Sequence, residues 1–404
     1  MTVRLALIGC GGISEAHRRG YAAIKAAEPD LFELVAVCDA DPQRAEAAAG
    51  AAAAWQDGRP RVYTDLDHLL QNERIDAADV CTPHYLHHTV GAACLQAGIH
   101  VQVEKPIGVT VRATQHLIEA AKRHGKILAT AENIRRMPGP RTAYWLFHER
   151  GLLGQPIALY AQRVAQPRPR VTVAAPVRPG ESPWTWRRDR ALSGGGPVLD
   201  SGAHFCDTIR YLYGEVESCY GRVLHLSDRR VRKGSELVTP DTEDTFMATI
   251  NFANGAVGTW SVSSALPGHQ FLAVVYYGRE GAIVEPVDAF HGPRLESQVV
   301  LRDGSSRPLE AYFLEYLEAL GEPGRQRLFP HGFVDGFTLE IYDFLTAVRD
   351  GRPPEIDGEE GLRAKAIAMT IYESATTGQV VRVEDVLAGR VREYQRPIDD
   401  RWGL

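Results

Sequence analysis

From Val3 to Ala131 short apolar runs alternate with stretches whose apolar positions recur every three to four residues. Val3–Ile8, Leu34–Cys38, Ala78–Thr82, His100–Glu104 and Lys126–Ala131 read as mostly apolar strands of the kind covered on both faces, and Val62–Asp65 leads into Leu66–Asn72. Between them, Ser14–Ala27, Pro42–Ala54, Leu66–Asn72, His87–Ala97 and Val111–His124 carry helical periodicity. Gly98 and Gly125 follow the last two, as helix stops do. This alternation predicts a parallel sheet with helices on both faces.

Beyond Gly154 the period shortens towards two. Ile157–Val164, Glu217–Leu226, Thr242–Phe252, Ala256–Ser263, Phe271–Tyr277 and Gly281–Val284 read as strands, and Asn254-Gly255 is a hairpin signal. Helices are expected at Ala203–Tyr213, Gly336–Arg349 and Glu359–Thr377. The fold class is therefore an α/β Rossmann domain followed by an α+β domain with a large, mostly antiparallel open sheet. The expected division is 1–135 for the dinucleotide-binding domain and 136–404 for the substrate and oligomerisation domain, with the terminal helices able to pack back on the first. Gln166–Pro183, rich in Pro and Arg, reads as a long connection.

Composition narrows the function. The chain has 404 residues, 44% hydrophobic and 24% charged, with a formal net charge of −6. That balance argues against nucleic acid as a partner. The basic run Asp228–Lys233 reads as a solvated loop. No secretory leader and no apolar run of membrane-spanning length is read, so no membrane partner is expected. The six cysteines form no C-x-x-C pair, which suits a reducing compartment, and the cytoplasm is the expected location.

Four motifs carry chemistry. Gly9-Cys10-Gly11-Gly12-Ile13-Ser14 joins the first strand to the first helix. There Gly9 permits a tight turn, Gly11 lets backbone approach a pyrophosphate, and the helix N-terminus favours the negative charge. The glycine of the strict fingerprint is replaced by Ser14. Asp39 ends the second strand, where an acid accepts ribose hydroxyls and repels a 2′-phosphate. NAD is thus favoured over NADP, although Arg44 keeps NADP open, and Asp39 could instead cap a helix, a role for which Asp41 is better placed before Pro42. In His100–Pro106, Lys105 stands at the C-terminal end of a parallel strand, where open α/β sheets bind ligands, and Pro106 restricts its backbone. In Ser193–Asp207, a triple glycine precedes Asp200, His204 and Asp207, spaced to share a helix face. A carboxylate beside an imidazole makes a general base. The same types can ligate a metal, but no further cluster lies nearby in the chain, and no metal is expected.

Together these segments resemble the glucose–fructose oxidoreductase / inositol dehydrogenase / MocA family. The resemblance rests on Gly9–Ile13 with His17, Thr82-Pro83-His84-Tyr85-Leu86-His87, Ala97–Val101 leading into Glu104-Lys105-Pro106, Gly194–Gly196 through Asp200, Gly202, His204 and Asp207, and Gly358–Leu362 to Ser374-Ala375 and Gly378. It implies oxidation of a secondary alcohol of a sugar, glycoside or cyclitol. Lys105 would polarise the reacting oxygen, His204 would take its proton as hydride passes to the nicotinamide, and Asp200 would orient His204. Gly9, Gly11, Gly12, Ile13, Asp39, Thr82, Pro83, His87, Glu104, Lys105, Trp186 and Arg187 would contact NAD, Glu104 at the nicotinamide ribose. The chain departs from the family at His84, where Asn is frequent, and in the Arg-rich Gln166–Pro183 segment, whose Arg168, Arg170 and Arg178 either meet a polar ligand or lie in solvent. A homodimer or homotetramer is implied. Two other readings share these residues: a glycosidase or lyase using tightly bound NAD for a transient oxidation, and a non-catalytic sugar or dinucleotide sensor.

Overall fold

The computed structural model describes residues 2–165, 181–183, 185–233, 235–286 and 291–404. The chain forms two compact units. The first comprises 1–137, 320–363 and residue 404; the second comprises 138–319 and 364–403.

The first unit is built on six strands: β1 (Val3–Ile8), β2 (Phe32–Cys38), β3 (Arg61–Tyr63), β4 (Ala77–Val80), β5 (His100–Glu104) and β6 (Leu128–Ala131). They are parallel, in the order β3-β2-β1-β4-β5-β6. The order reverses between β1 and β4, so the crevice at their C-terminal ends is the topological switch point at which such sheets take ligands. Helices α1 (Ser14–Ala27), α2 (Pro42–Ala52), α3 (Leu66–Asn72), α4 (His84–Gln96) and α5 (Val111–His124) connect the strands. Leu5 and Leu7 of β1 pack with Tyr21 and Ile24 of α1 and with Ile341, Phe344 and Leu345 of the Gly336–Asp350 helix in one buried core. That helix approaches α1 so closely that a Cβ at Gly20 would lie 2.8 Å from Ile341 Cδ1.

The second unit holds a nine-stranded sheet and a small three-stranded one. Its strands are β7 (Pro156–Val164), β8 (Glu181–Pro183), β9 (Val216–Leu224), β10 (Arg230–Lys233), β11 (Glu236–Val238), β12 (Thr245–Phe252), β13 (Val257–Ser263), β14 (Phe271–Gly278), β15 (Gly281–Val284), β16 (Gln298–Leu301), β17 (Ser306–Pro308) and β18 (Val381–Arg382). The large sheet runs β17-β16-β15-β14-β7-β13-β12-β9-β18, antiparallel except for the β7–β13 pair. The Asn254-Gly255 turn joins β12 to β13 with Gly255 at φ +87°, as a hairpin requires. One sheet face is covered by the Gly202–Tyr213 helix, whose Phe205 ring meets Trp260 at 4.7 Å, and by the Gly358–Thr377 helix, whose Ile371 meets Gly221. The other face exposes Tyr160, Tyr220, Met247, Val257 and Tyr277.

Two expectations change. The basic run is not a loop: Arg230–Lys233 is β10, paired with β8 and β11, because Val231 alternates inward and is fully buried while its neighbours carry charge outward. Of the Gln166–Pro183 segment, Glu181–Pro183 is the strand β8; Arg168, Arg170 and Arg178 lie outside the described residues. Phe246 and Trp260 on the large sheet are both fully buried.

Candidate active site

The glycine turn lies at the end of β1. Gly9 has φ +93°, and a Cβ there would stand 2.7 Å from the Cys81 carbonyl group at the end of β4. Only glycine can occupy that position. Its N–H donates to Cys38 O at 2.8 Å, which ties the turn to β2. Gly11 and Gly12 differ: a Cβ at either would meet nothing within 4 Å. They line an open cradle before α1, whose first residue, Ser14, donates its hydroxyl to Gly11 O. Ile13 precedes this helix without a side-chain hydrogen bond to it and is partly exposed.

Asp39 follows β2. Its Oδ2 accepts the Cys10 N–H at 2.7 Å and its Oδ1 accepts the Asp41 N–H at 2.9 Å. The carboxylate is thereby fixed beside the turn, and each oxygen keeps a second lone pair for a further donor. The α2 cap is Asp41, which accepts from Gln43 N and Arg44 N.

Thr82 and Pro83 lie between β4 and α4. The Thr82 hydroxyl oxygen is buried and has no hydrogen-bond partner among the described residues. A buried hydroxyl without a partner at a switch point is free to donate to, or accept from, a bound ligand. His87 is fully buried; its Nδ1 lies 2.9 Å from Pro106 O and its Nε2 2.8 Å from Thr82 O. It therefore staples Thr82 to Pro106 from behind and exposes no surface of its own. Lys105 is half-buried after β5, and the Lys105–Pro106 peptide is cis. Glu104 is directed inward, with Oε1 3.0 Å from His17 Nε2. Glu132, at the end of β6, is buried and interacts with Lys105, Arg135 and Glu104; burial pushes its carboxyl up to about 7.

In the second unit the glycine run turns tightly. Gly195 has φ +156°, and a Cβ there would collide with Tyr372 Oη. Glu243 receives the N–H groups of Gly196 (2.8 Å) and Val198 (2.9 Å) and the Tyr372 hydroxyl (2.7 Å). The close approach that the glycines signal is thus to the protein's own Glu243 and Tyr372. Burial raises the Glu243 carboxyl despite these three donors. The helix starts at Gly202, so Asp200 sits in the turn before it and shares no helix face with His204. Asp200 Oδ2 accepts from Arg187 Nε at 2.9 Å, and the Arg187 guanidinium lies 4.1 Å from the centre of the Trp186 ring. His204, half-buried on the helix, meets the His291 ring edge-on at 5.1 Å and 78°. Thr208 on the same helix anchors His291 by its carbonyl at 2.8 Å. Asp207 is buried.

Residues 3–132 match the model of an oxidoreductase family with an NAD-binding Rossmann fold, and residues 163–383 match the C-terminal alpha/beta domain of the same family. The chain belongs to the glucose–fructose oxidoreductase / inositol dehydrogenase / MocA family. Within this family it is 26% identical over 408 residues to the levoglucosan dehydrogenase of Pseudarthrobacter phenanthrenivorans, covering 96% of this chain and 99% of that protein. It is 26% identical to the myo-inositol 2-dehydrogenase of Thermotoga maritima, over 82% of this chain and 86% of that one. A solved structure of levoglucosan dehydrogenase in complex with NADH and L-sorbose superposes with a TM-score of 0.75 at 26% identity, over 95% and 99% of the two chains.

The residues present suit the cofactor of this oxidoreductase family. The open cradle at Gly11 and Gly12, the Thr82 hydroxyl and the fixed Asp39 carboxylate provide space for phosphates, a polar partner and an acceptor for ribose hydroxyls. Sequence reasoning missed Glu132, Glu243 and His291. Glu132 was within reach, since it occupies on β6 the strand-end position that Lys105 occupies on β5. Nothing in the local pattern marks His291 or Glu243.

Proposed function

We propose that this protein is an NAD-dependent dehydrogenase that oxidises a secondary alcohol of a sugar, glycoside or cyclitol. The observation that carries the reading is Lys105, half-buried at the C-terminal end of β5, in an NAD-binding Rossmann fold whose glycine cradle is open. The relatives named above, dehydrogenases of a sugar anhydride and a cyclitol, support the substrate class. Residues 1–135 then serve the cofactor and 136–404 the substrate and assembly.

Gly9, Gly11, Gly12 and Ile13 hold the pyrophosphate, Asp39 the adenosine ribose, and Thr82, Pro83, Glu104, Trp186 and Arg187 the remaining nucleotide, with His87 supporting Thr82. When bound, NAD accepts the hydride. Lys105 holds the reacting oxygen and stabilises the negative charge that grows on it as the proton leaves. His204 takes that proton as general base. Asp200, steadied by Arg187, keeps negative charge near the start of the His204 helix. The reducing cytoplasm suits six buried free thiols. The exposed sheet face supports a homodimer or homotetramer.

The test is a panel of pyranoses, glycosides, uronates and inositols with NAD, following NADH absorbance. Lys105→Ala and His204→Ala should each lower kcat by about 10²-fold or more while NAD still binds by calorimetry. Activity retained in both variants would overturn the assignment.

A further inference from the structure

Behind Glu104 lies a buried cluster for which the reaction above has no use. His17 of α1 is fully buried. Its Nδ1 is 2.7 Å from Asp79 Oδ2 on β4, and its Nε2 is 3.0 Å from Glu104 Oε1 on β5. Asp79 also receives the Tyr21 hydroxyl and, at 3.3 Å, the Gln102 amide. Glu340, from the Gly336–Asp350 helix, places Oε1 3.8 Å from His17 Nε2. Glu340 is 1% exposed, and neither carboxyl oxygen has a hydrogen-bond partner among the described residues.

The geometry dictates the charges. A neutral imidazole has one N–H and one lone pair. Here both ring nitrogens face carboxyl groups at hydrogen-bond distance, so with Asp79 and Glu104 ionised a neutral ring would set a lone pair against one of them. The imidazolium donates to both. With Asp79 and Glu104 ionised, a third carboxylate beside one cation in a dry interior would cost several kcal/mol. Glu340 therefore keeps its proton. The other groups facing the cluster agree: against the cost of burial, Asp79 and then Cys81 press His17 towards its cation, while burial above all keeps the Glu340 proton, Glu104 and Glu132 adding to it against His17 and Arg136. Buried ion clusters rarely repay their desolvation in stability, which directs attention to what this one holds in place. That is Glu104, the residue before Lys105.

We propose that His17 is a positioning residue: an imidazolium anchored by Asp79 fixes the Glu104 carboxylate and the strand end that carries Lys105, while Glu340 closes the cluster as a neutral acid. This rests on the reading of Glu104 and Lys105 as cofactor- and substrate-side groups. Loss of the charged hydrogen bond from His17 should matter only through Glu104.

Calorimetric NAD binding to the full-length protein tests this without a substrate. His17→Gln and Glu104→Gln should each weaken NAD roughly tenfold, the worth of one hydrogen bond to a charged group. The double variant should bind no more weakly than Glu104→Gln alone, because contacts in series do not add. Additive losses, or wild-type affinity in His17→Gln, overturn the proposal. If His17→Gln does not fold, Asp79→Asn takes its place in the same cycle, with the same two outcomes. Glu340→Gln reads the charge state separately: relative to wild type its unfolding midpoint should climb as pH rises above the ordinary carboxylate value, since the unfolded wild-type chain then releases a proton that the fold keeps. A pH-independent difference, or one metal ion per chain in native mass spectrometry, overturns the neutral acid. A protein that binds NAD with this coupling but oxidises nothing in the carbohydrate panel leaves the positioning role standing and removes the proposed function instead.

Discussion

Glu132 shows how much one buried side chain can bind to pH. Burial raises its carboxyl to about 7, against the lowering influence of the Ile134 N–H, Lys105 and Arg135. The native state thus holds a proton that the unfolded chain releases near the ordinary carboxylate value. Its contribution to stability is complete below that value and is lost as pH rises towards about 7, at about 1.4 kcal/mol per pH unit. Glu132→Gln should therefore gain on wild type by up to about 3 kcal/mol between roughly pH 4.5 and 7. Urea unfolding of both proteins at the two pH values checks it; parallel curves would mean that Glu132 is ionised in the fold. At this scale the positions of Lys105 and Asp39 at strand ends and of His204 on a helix were legible, because strand ends and helix starts are local marks. It could not reveal His291, which reaches His204 only by folding, or the pairing of Asp200 with Arg187.

Among the elements, the β1–α1 turn separates two kinds of glycine that sequence treats alike. Gly9 is demanded by conformation and by the β4 backbone, whereas Gly11 faces open space. Gly9→Ala should lower stability by about 2 kcal/mol or more, combining strain at positive φ with a backbone clash. Gly11→Val should unfold at the wild-type midpoint yet bind NAD at least about tenfold more weakly, because its side chain fills the cradle. Thermal melts paired with calorimetry decide; equal damage to both folds would remove the distinction. Helix α5 was legible to the residue, since Thr110 caps Ala113 N and Gly125 takes the left-handed stop. The Leu309–Leu328 helix was not read, because it breaks at Gly321 and carries Pro323, which together destroy its periodicity.

Across the whole molecule, one face of the nine-stranded sheet carries Tyr160, Met247 and Val257, each about half exposed (50%, 55% and 52%). Their strands are hydrogen-bonded neighbours or near neighbours in the sheet, so the residues form one patch rather than scattered contacts. Among the described residues no helix is long and apolar enough to cross a membrane. If a second copy covers the patch, Met247→Glu together with Val257→Glu should shift the protein to monomers in analytical ultracentrifugation with its circular dichroism unchanged. An unaltered sedimentation coefficient would place the assembly surface elsewhere.

What the sequence determined by itself were features set within a few turns of chain. These are the strand–helix alternation, the Gly9–Gly12 turn, the Asn254-Gly255 hairpin and the placement of Lys105 at a strand end. Each follows from periodicity or backbone freedom, which neighbouring residues impose. Only the tertiary structure decided what the triple glycine approaches, namely Glu243 and Tyr372. It alone brought His17, Asp79, Glu104 and Glu340 together from two helices and two strands. Such groupings depend on long-range packing and on the loss of water around charge, and no local pattern encodes either.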